Sequence, residues 1–524
     1  MTNRSVLLLC ALPVLASAQA HDMAMHDKLG TVHFATSCAP AVAPTFDHAV
    51  ALLHSFEFSQ AIRGFNDVLA KDPSCAMADW GIALARWGNP MNASQRANAQ
   101  LEGGRQAATA AVRLAANATP REQGYAAAVS KLYADYESAP QRKRVVDYET
   151  AMDSVATRNI SDTEATIFFA ISLVAAAEPT DKTYANQLRA GSMLEGLWTK
   201  QPDHPGLAHY IIHAYDVPAL APQAKRAAER YSEIAPSAAH ALHMPSHTFT
   251  RVGMWDESVR TNQRSVEAAK LDSNLGEMLH ASDYMVYAYL QMRRDSAAKR
   301  VMDGLPDLLK AYDLNASNGA ANAATGAYAL AAIPARYALE RRMWHEAEML
   351  NVRPNANAQT EAITNFARAL GAAHTGDLSR ARVALEALAH NQERLQTAKE
   401  PYWAEQVGIQ IVEARAAVDF AEHRNADAIN ELKEAVTRED ATEKAAVTPG
   451  PIAPAHELFG DMLLDMRRPA DALSEYRECL KKEPNRFRSL YGAWKAAGAS
   501  GDKAAAAEYA KQIEKLTGTT AYLK

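Results

Sequence analysis

The sequence predicts an all-α solenoid built from helix-turn-helix repeats, on three observations. Two histidine pairs, His209 with His213 and His243 with His247, stand 34 residues apart, which is the length of a tetratricopeptide (TPR) repeat. The segment 453–484 carries small, aromatic and proline residues at the spacing of that repeat. Alanine is abundant throughout, and strand-like alternation of apolar and polar residues is absent.

The repeat is cleanest near the two ends of the chain. In the segment that begins at Ala453, positions 8, 20, 24 and 32 are Gly460, Ala472, Tyr476 and Pro484. In the segment that begins at Val42, the same positions are Ala49, Ala61, Phe65 and Pro73. Cys479 falls where a small residue packs between helices, so we expect a buried, inert thiol. Between the ends, helix pairs are predicted at 76–115, 121–155, 161–200, 205–234, 239–270, 278–311, 328–350, 361–390 and 401–437.

The first residues read as an export signal. Arg4 supplies a charged start, Val6 to Val14 form an apolar stretch, and Ala16-Ser17-Ala18 or Ala18-Gln19-Ala20 offers a small-residue cleavage site. We therefore predict a signal peptide at 1–20, an N-terminal segment containing His and Met at 21–41, and a solenoid at 42–524. No later segment approaches about 18 unbroken apolar residues, so no transmembrane helix is predicted. The expected location is periplasmic or secreted.

Charge and cysteine content narrow the function classes. The chain has 61 acidic and 55 basic residues without a long basic stripe, which disfavours nucleic-acid binding. Cys38 precedes the first helix hairpin and Cys75 follows it, and a hairpin brings its two ends together. A Cys38–Cys75 disulfide is therefore a candidate in an oxidising compartment, with free thiols as the alternative.

Histidines of neighbouring repeats fall at equivalent positions. In tetratricopeptide repeats, positions 2, 5, 9, 12 and 13 of the first helix face the concave groove. His209 and His213 occupy positions 5 and 9 of one repeat, and His243 and His247 occupy them in the next. Further residues are predicted at groove positions of the same or the following repeat: His240, His280, Asp283 and Tyr287. The sequence thus predicts a histidine-rich groove within 205–336.

Two prolines stand inside predicted helices of this region. Pro245 and Pro334 occupy the same repeat position, where a proline removes a backbone hydrogen bond and bends the helix at a cost of about 3 kcal/mol. The carbonyls expected to lose their bonds belong to Ala241 and Leu330. Arg336 follows Pro334 at a groove-facing position.

The convergence of imidazoles favours a metal site. Four imidazoles, from His209, His213, His243 and His247, suit zinc, copper, iron or nickel, and the lack of clustered carboxylates argues against calcium and magnesium. The predicted ligand-binding residues beside them are His240, His280, Asp283, Tyr287 and Arg336. Two alternatives remain open: a pocket for an anionic or polar ligand, with Arg336 supplying charge, and a purely structural hydrogen-bond network.

Three other features have competing interpretations. The segment from His21 to His26 contains imidazole and thioether groups that suit copper, and the alternative is a polar tail. His54 falls at a groove position, but a lone histidine is more often structural. Val447 to Pro454 is a stiff, proline-rich segment that serves either as a linker or as a lid over the groove.

The three function classes that remain are a binding protein for a metal or a metal-dependent small ligand, a metalloenzyme using the same cluster, and a protein–protein scaffold. The chain lacks GxSxG, HExxH, GxxxxGK[ST], GxGxxG and CxxC motifs, so whether it is an enzyme is left open. A scaffold predicts an open groove, whereas a metal site predicts buried histidines within ligand distance of one another.

The chain resembles a family of large, exported bacterial tetratricopeptide-repeat proteins. The resemblance rests on HPGLAHYIIHAYDVP, APSAAHALHMPSHTFTRVGMWDES, VTPGPIAPAHELFGDMLL and PNRFRSLYGAWKAA, and it covers nearly the whole chain after the signal. The family usually has Arg where this chain has His456, and often Tyr where it has Asp79. The resemblance implies the fold and export, and it supplies no reaction.

Overall fold

The computed structural model describes residues 28–313, 323–353 and 357–523, and no strand occurs within those ranges. Helices that follow one another in the chain pack side by side, and each hairpin stacks on the next. The predicted all-α, tetratricopeptide-type solenoid is thereby confirmed. In the same ranges, no helix is both long and apolar enough to cross a membrane. The predicted signal peptide and the segment from His21 to His26 lie outside the described residues.

The helix pairs predicted between residues 76 and 437 are all present, with ends shifted by a few residues. The N-terminal helices are α1 (Ala43–His54), α2 (Phe58–Lys71), α3 (Ala76–Trp87), α4 (Asn98–Ala115), α5 (Pro120–Lys131), α6 (Gln141–Arg158), α7 (Thr163–Ala176) and α8 (Ala185–Trp198). The central helices are α9 (Pro205–Ala214), α10 (Lys225–Ile234), α11 (Ala239–His243), α12 (Pro245–Arg251), α13 (Trp255–Leu271), α14 (Leu275–Gln291), α15 (Asp295–Ala311) and α16 (Ala323–Glu340). The C-terminal helices are α17 (Trp344–Glu348), α18 (Ala358–Thr375), α19 (Leu378–Thr397), α20 (Pro401–Ala421), α21 (Asn425–Ala441), α22 (Ala455–Asp465), α23 (Pro469–Lys482), α24 (Phe487–Ser500) and α25 (Lys503–Thr517).

Stacking of repeats depends on aromatic rings that pack against glycine. The Phe65 ring is fully buried, and a Cβ added at Gly81 of the next helix would lie 2.3 Å from it. Tyr476 packs in the same way against Gly492, where an added Cβ would lie 2.2 Å from the ring. The small and aromatic positions of the repeat are therefore the points at which successive hairpins interlock, and any larger residue at these glycines would force them apart.

The N-terminal segment before α1 is tied to the centre of the chain. The Thr31 amide donates to the Asp203 carbonyl at 2.9 Å, and the Ser237 amide donates to the Lys28 carbonyl at 3.3 Å. Cys38 and Cys75 are joined by a disulfide with their Cα atoms 4.9 Å apart, as the ends of the first hairpin suggested. Cys479 is a buried free cysteine, as expected.

The superhelix turns far enough for distant parts of the chain to meet, a point that the sequence left open. The indole nitrogen of Trp403 donates to the Ser94 hydroxyl at 2.9 Å, and the Gln95 amide donates to a Glu400 carboxylate oxygen at 2.8 Å. On another side, the Trp255 indole donates to the Asn485 carbonyl at 2.9 Å. The C-terminal repeats therefore close over the concave face of the central ones.

The segment 442–454 connects α21 to α22 and runs through the groove. We call it the crossing segment. At one end, Lys182 contacts the Thr442 carbonyl at 2.8 Å. Further along, the Tyr284 hydroxyl lies 3.0 Å from the Ala446 carbonyl and 3.1 Å from that of Thr448. Of the two interpretations of Val447 to Pro454, these contacts match a segment that covers the groove.

The two groove prolines interrupt helical hydrogen bonding as expected. At Pro245 the helix divides, since α11 ends at His243 and α12 begins at Pro245. Pro334 lies inside α16, and the Leu330 carbonyl accepts a hydrogen bond from the Arg353 guanidinium at 3.0 Å. A side chain thus satisfies the carbonyl that the proline deprives of its partner.

Candidate metal centre

Six of the predicted residues form two groups of three imidazoles in the covered groove. We call His209, His213 and His240 triad 1, and His243, His247 and His280 triad 2. Within each triad, nitrogens that could bind a metal all lie within 4.8 Å of one another. Each of the six side chains is at most 5% exposed. The equivalence of repeat positions has therefore brought imidazoles of successive repeats together, on α9, on α11 with α12, and on α14.

The two triads are neighbours. The ring centroids of His240 and His243 are 5.9 Å apart, and those of His213 and His247 are 6.0 Å apart. Within triad 2, the His243 and His280 centroids are 4.3 Å apart. The two triads therefore adjoin each other in one patch of six rings.

In three of the six rings, Nδ1 faces a hydrogen-bond acceptor. Nδ1 of His247 lies 2.9 Å from a carboxylate oxygen of Asp216, and Nδ1 of His209 lies 2.6 Å from the backbone carbonyl of His54. Nδ1 of His243 lies 2.6 Å from Oδ1 of Asn262, whose amide nitrogen donates to the Ser258 carbonyl at 2.7 Å. Because each of these partners can only accept, we assign the ring proton to Nδ1 in all three histidines.

That assignment leaves the Nε2 lone pairs of the same rings facing inward. The Nε2 atoms of His243 and His247 lie 3.1 Å apart, and no proton is available between them while both rings are neutral. Nε2 of His209 and Nε2 of His213 are buried without a hydrogen-bond partner among the described residues. A buried acceptor left without a donor costs about 1–3 kcal/mol, and either a cation or a hydrogen-bond donor between the rings would satisfy these nitrogens.

The ring of His240, like that of His247, lies beside a carboxylate group. Its Nδ1 lies 3.5 Å from a carboxylate oxygen of Glu277, which is fully buried on α14. Neither ring nitrogen of His240 and neither oxygen of Glu277 has a hydrogen-bond partner at standard distance within the part of the chain that the structure describes. Glu277 is thus placed to orient His240 as Asp216 orients His247.

Burial favours the neutral form of four imidazoles in the two triads. It lowers the pKa of His209, His213 and His243 well below the usual value, and repulsion between neighbouring histidines adds to the effect. Burial also lowers the pKa of His280 to about 3. Neutral imidazole is the form that binds a transition metal, so the low pKa of these four rings favours the state in which they could act as ligands.

Asp216 stays ionised because two cations surround it. Burial alone would raise the pKa of Asp216, but the charges of Lys444 and Arg251 hold it well below its usual value. The Arg251 guanidinium contacts one carboxylate oxygen at 3.0 Å, and the Lys444 ammonium lies 3.4 Å from the other. Lys444 belongs to the crossing segment, which therefore takes part in fixing the carboxylate that orients His247.

The same groove also buries Asp283, Tyr287 and Arg336. The hydrogen-bond and ion-pair partners described here for these three side chains lie outside the triads. Arg336 pairs with Asp283 at 3.0 Å and also contacts the crossing segment. The Tyr287 hydroxyl lies 3.1 Å from Glu483 and 3.0 Å from the Arg486 guanidinium. The ligand-binding role predicted for these three residues stays a prediction, since the contacts observed are with protein groups.

His54 is a structural histidine in this fold. Its Nε2 lies 2.9 Å from Glu164, which also contacts His204 at 2.9 Å, and its Nδ1 lies 3.1 Å from the Tyr210 hydroxyl. A Cβ added at Gly206 would lie 2.5 Å from the His54 ring, which explains why glycine follows proline in the HPG sequence. His54 supports the candidate site only through its backbone carbonyl.

Several residues of the site were missed from the sequence. Asn262 lies on a second helix of its repeat, and Glu277 stands near the start of α14, so neither falls at a groove position of the repeat. Lys444 comes from a segment outside any repeat. Asp216 stands three residues after His213 in the HYIIHAYD sequence, and that closeness is the one signal that could have drawn attention to it.

A cavity adjoins the two triads. It is lined by His213, His240, His247 and His280 on one side, and by Asn89, Asn92, Trp403 and residues 445–447 on the other. His213 also lines an open cleft between the crossing segment and the residues around Tyr184. Four of the six imidazole side chains therefore line a cavity.

No family model and no curated protein matches the chain. Among solved structures, the human IFIT1 dimer with m7Gppp-AAAA is 10% identical, over 85% of this chain and 90% of that one, with a TM-score of 0.37. Yeast Tom70 is 12% identical, over 91% of this chain and 99% of that one, with a TM-score of 0.34. Likenesses of this size say nothing about what this chain binds.

Proposed function

We propose that this protein is an exported solenoid that holds transition-metal ions in its covered groove, one ion in each histidine triad. The observation that carries the proposal is the orientation of the rings: Nδ1 of His247 and of His243 faces an acceptor, and their Nε2 atoms face each other at 3.1 Å. Two imidazole nitrogens on one tetrahedral zinc ion are about 3.3 Å apart, given bonds of about 2.0–2.1 Å. The pair is therefore spaced as two ligands of one ion.

The nitrogen ligands limit which metals these sites could bind. Imidazole suits zinc, copper, iron and nickel, and three protein nitrogens per ion leave a coordination position for water or another ligand. Export of the protein rests on the predicted signal peptide at 1–20, and the Cys38–Cys75 disulfide supports an oxidising compartment.

The other two function classes are less well supported. A protein scaffold requires an accessible groove, and here the crossing segment and the C-terminal repeats cover the histidine face. A metalloenzyme is favoured by one observation, the cavity between the triads and Trp403, where a substrate could meet an open coordination position. If the protein is a metalloenzyme, an added ligand such as azide should change the visible absorption of the Co2+-loaded protein. Unchanged absorption would favour metal binding without catalysis.

Replacing Asn262 by alanine tests the proposal. The variant removes the acceptor that fixes the His243 ring, and loss of such a partner lowers metal affinity about 10–100-fold. The measurement is a competition titration of zinc against a chelator. The control is Asn391→Ala, because Asn391 is also a buried asparagine but pairs with Asn365 on α18. Equal zinc affinity in both variants, with unchanged helical content, would contradict the proposal.

A further inference from the structure

A second cavity lies on the other side of the crossing segment, between α18, α20 and α21. Its walls include Glu413, Glu439, Gln410, Phe366, Tyr402 and Trp403. None of these residues belongs to the histidine triads, although Trp403 lines both cavities. The sequence pattern gave no sign of this cavity, because its charged residues are spread over α20 and α21 without a motif.

Glu413 is a buried carboxyl group without a compensating charge. Its side chain is 3% exposed, and its Oε1 has no hydrogen-bond partner among the described residues. Gln410, one helical turn earlier, also presents a buried Oε1 without a partner there. Burial raises the pKa of Glu413 well above the usual value, and the charge of Glu439 raises it further. Two unsatisfied oxygens thus line one cavity.

The cations of the cavity wall are already paired with other groups. Lys482 forms an ion pair with Asp440, and His456 lies between Asp440 and Glu475, at 3.3 and 2.7 Å. On the opposite wall, Lys444 is paired with Asp216. Glu439 accepts hydrogen bonds from the Ala455 amide, at 3.2 and 3.3 Å. No ion-pair partner of Glu413 occurs among the described residues, so no cation of the protein competes with a cationic ligand, whose charge would favour ionisation of the carboxyl group.

Aromatic side chains also line this cavity. Phe366 is fully buried, and the Tyr402 and Trp403 rings meet edge to face with centroids 5.0 Å apart. Ring faces next to an uncompensated carboxylate attract an organic cation, by charge and by cation–π contact. A hard divalent ion would need about six or more oxygen ligands, which this partly apolar wall does not supply.

We propose that this cavity binds the ammonium group of a primary amine with an apolar body, with Glu413 as the charged partner and Gln410 as a further acceptor. The aromatic residues hold the apolar part. The proposal does not rest on metal binding by the triads, although Trp403 lines both cavities.

The test measures binding of benzylammonium, 2-phenylethylammonium and putrescine by calorimetry, with chelator present. At least one of these amines is expected to bind one-to-one, and Glu413→Gln is expected to weaken it about tenfold or more, since an ion pair is lost. Benzyl alcohol, which keeps the ring and lacks the charge, is expected to bind far more weakly than benzylammonium. The control is Glu386→Gln, an exposed position on α19.

Three results would overturn the proposal. They are the absence of binding by all three amines, equal binding of benzyl alcohol and benzylammonium, and calcium binding that depends on Glu413 in place of amine binding. Folding of Glu413→Gln is checked by its melting temperature without ligand, which is expected not to fall because burial already disfavours the ionised carboxylate and the amide is similar in size.

Discussion

Replacing His243 and His247 together by alanine is expected to remove the metal ion of triad 2 and leave that of triad 1. The two rings supply the nitrogens that face each other at 3.1 Å, and a triad reduced to His280 alone cannot hold an ion. The variant should therefore carry about half the metal of the parent protein, measured by elemental analysis after dialysis against a weak chelator.

The control for that variant is His390→Ala. His390 is exposed, with 68% of its side chain accessible, and belongs to neither triad. It should keep the metal content of the parent. If the double variant also kept it, with its helices intact by circular dichroism, then triad 2 would not be a metal site. Loss of both ions would show that the six rings act as a single site.

Replacing Arg336 by methionine is expected to produce the largest loss of stability among single substitutions in the groove. The guanidinium is fully buried, pairs with Asp283 at 3.0 Å, and contacts the crossing segment through Thr448, Gly450 and Pro451 at 2.7, 2.8 and 2.9 Å. Its removal leaves the Asp283 charge buried without a partner, which costs about 3–5 kcal/mol. Urea denaturation of the metal-free protein measures the free energy of unfolding.

Two further variants define the cause of that loss. Arg300→Met, at an exposed position of α15, should change stability by less than about 0.5 kcal/mol. Adding Asp283→Leu to Arg336→Met removes the orphaned carboxylate and should recover part of the loss, because deleting both partners of a buried pair costs less than deleting one. A loss below about 1 kcal/mol in the single variant would mean that Arg336 does not anchor the crossing segment.

The repeat pattern predicted the helices and the histidines that face the groove. The physical reason is that both depend on residues close together in the chain. The repeat fixes which face of a helix points inward, so His209, His213, His243 and His247 could be placed in adjacent positions from spacing alone. His240 was harder to place because Pro245 follows it, yet it joins triad 1 in the structure.

Contacts between residues far apart in the chain were not predictable in the same way. Apart from Asp283, the partners described for Arg336 and Tyr287 are more than one hundred positions away, in the crossing segment and the C-terminal repeats. A repeat register says that a side chain faces the groove, but it does not say what fills the groove. The hydrogen-bond acceptors of the imidazole rings, such as Asn262, were also not predicted, because they lie outside the groove positions of the repeat.

The most direct test of the account is the metal content of protein purified from its native compartment without added metal. The account predicts about one zinc, copper, iron or nickel ion per triad, lost under chelator and recovered on addition of the same metal. Protein that contains no transition metal when isolated, and that takes up none of these four metals after chelation, would contradict the central claim.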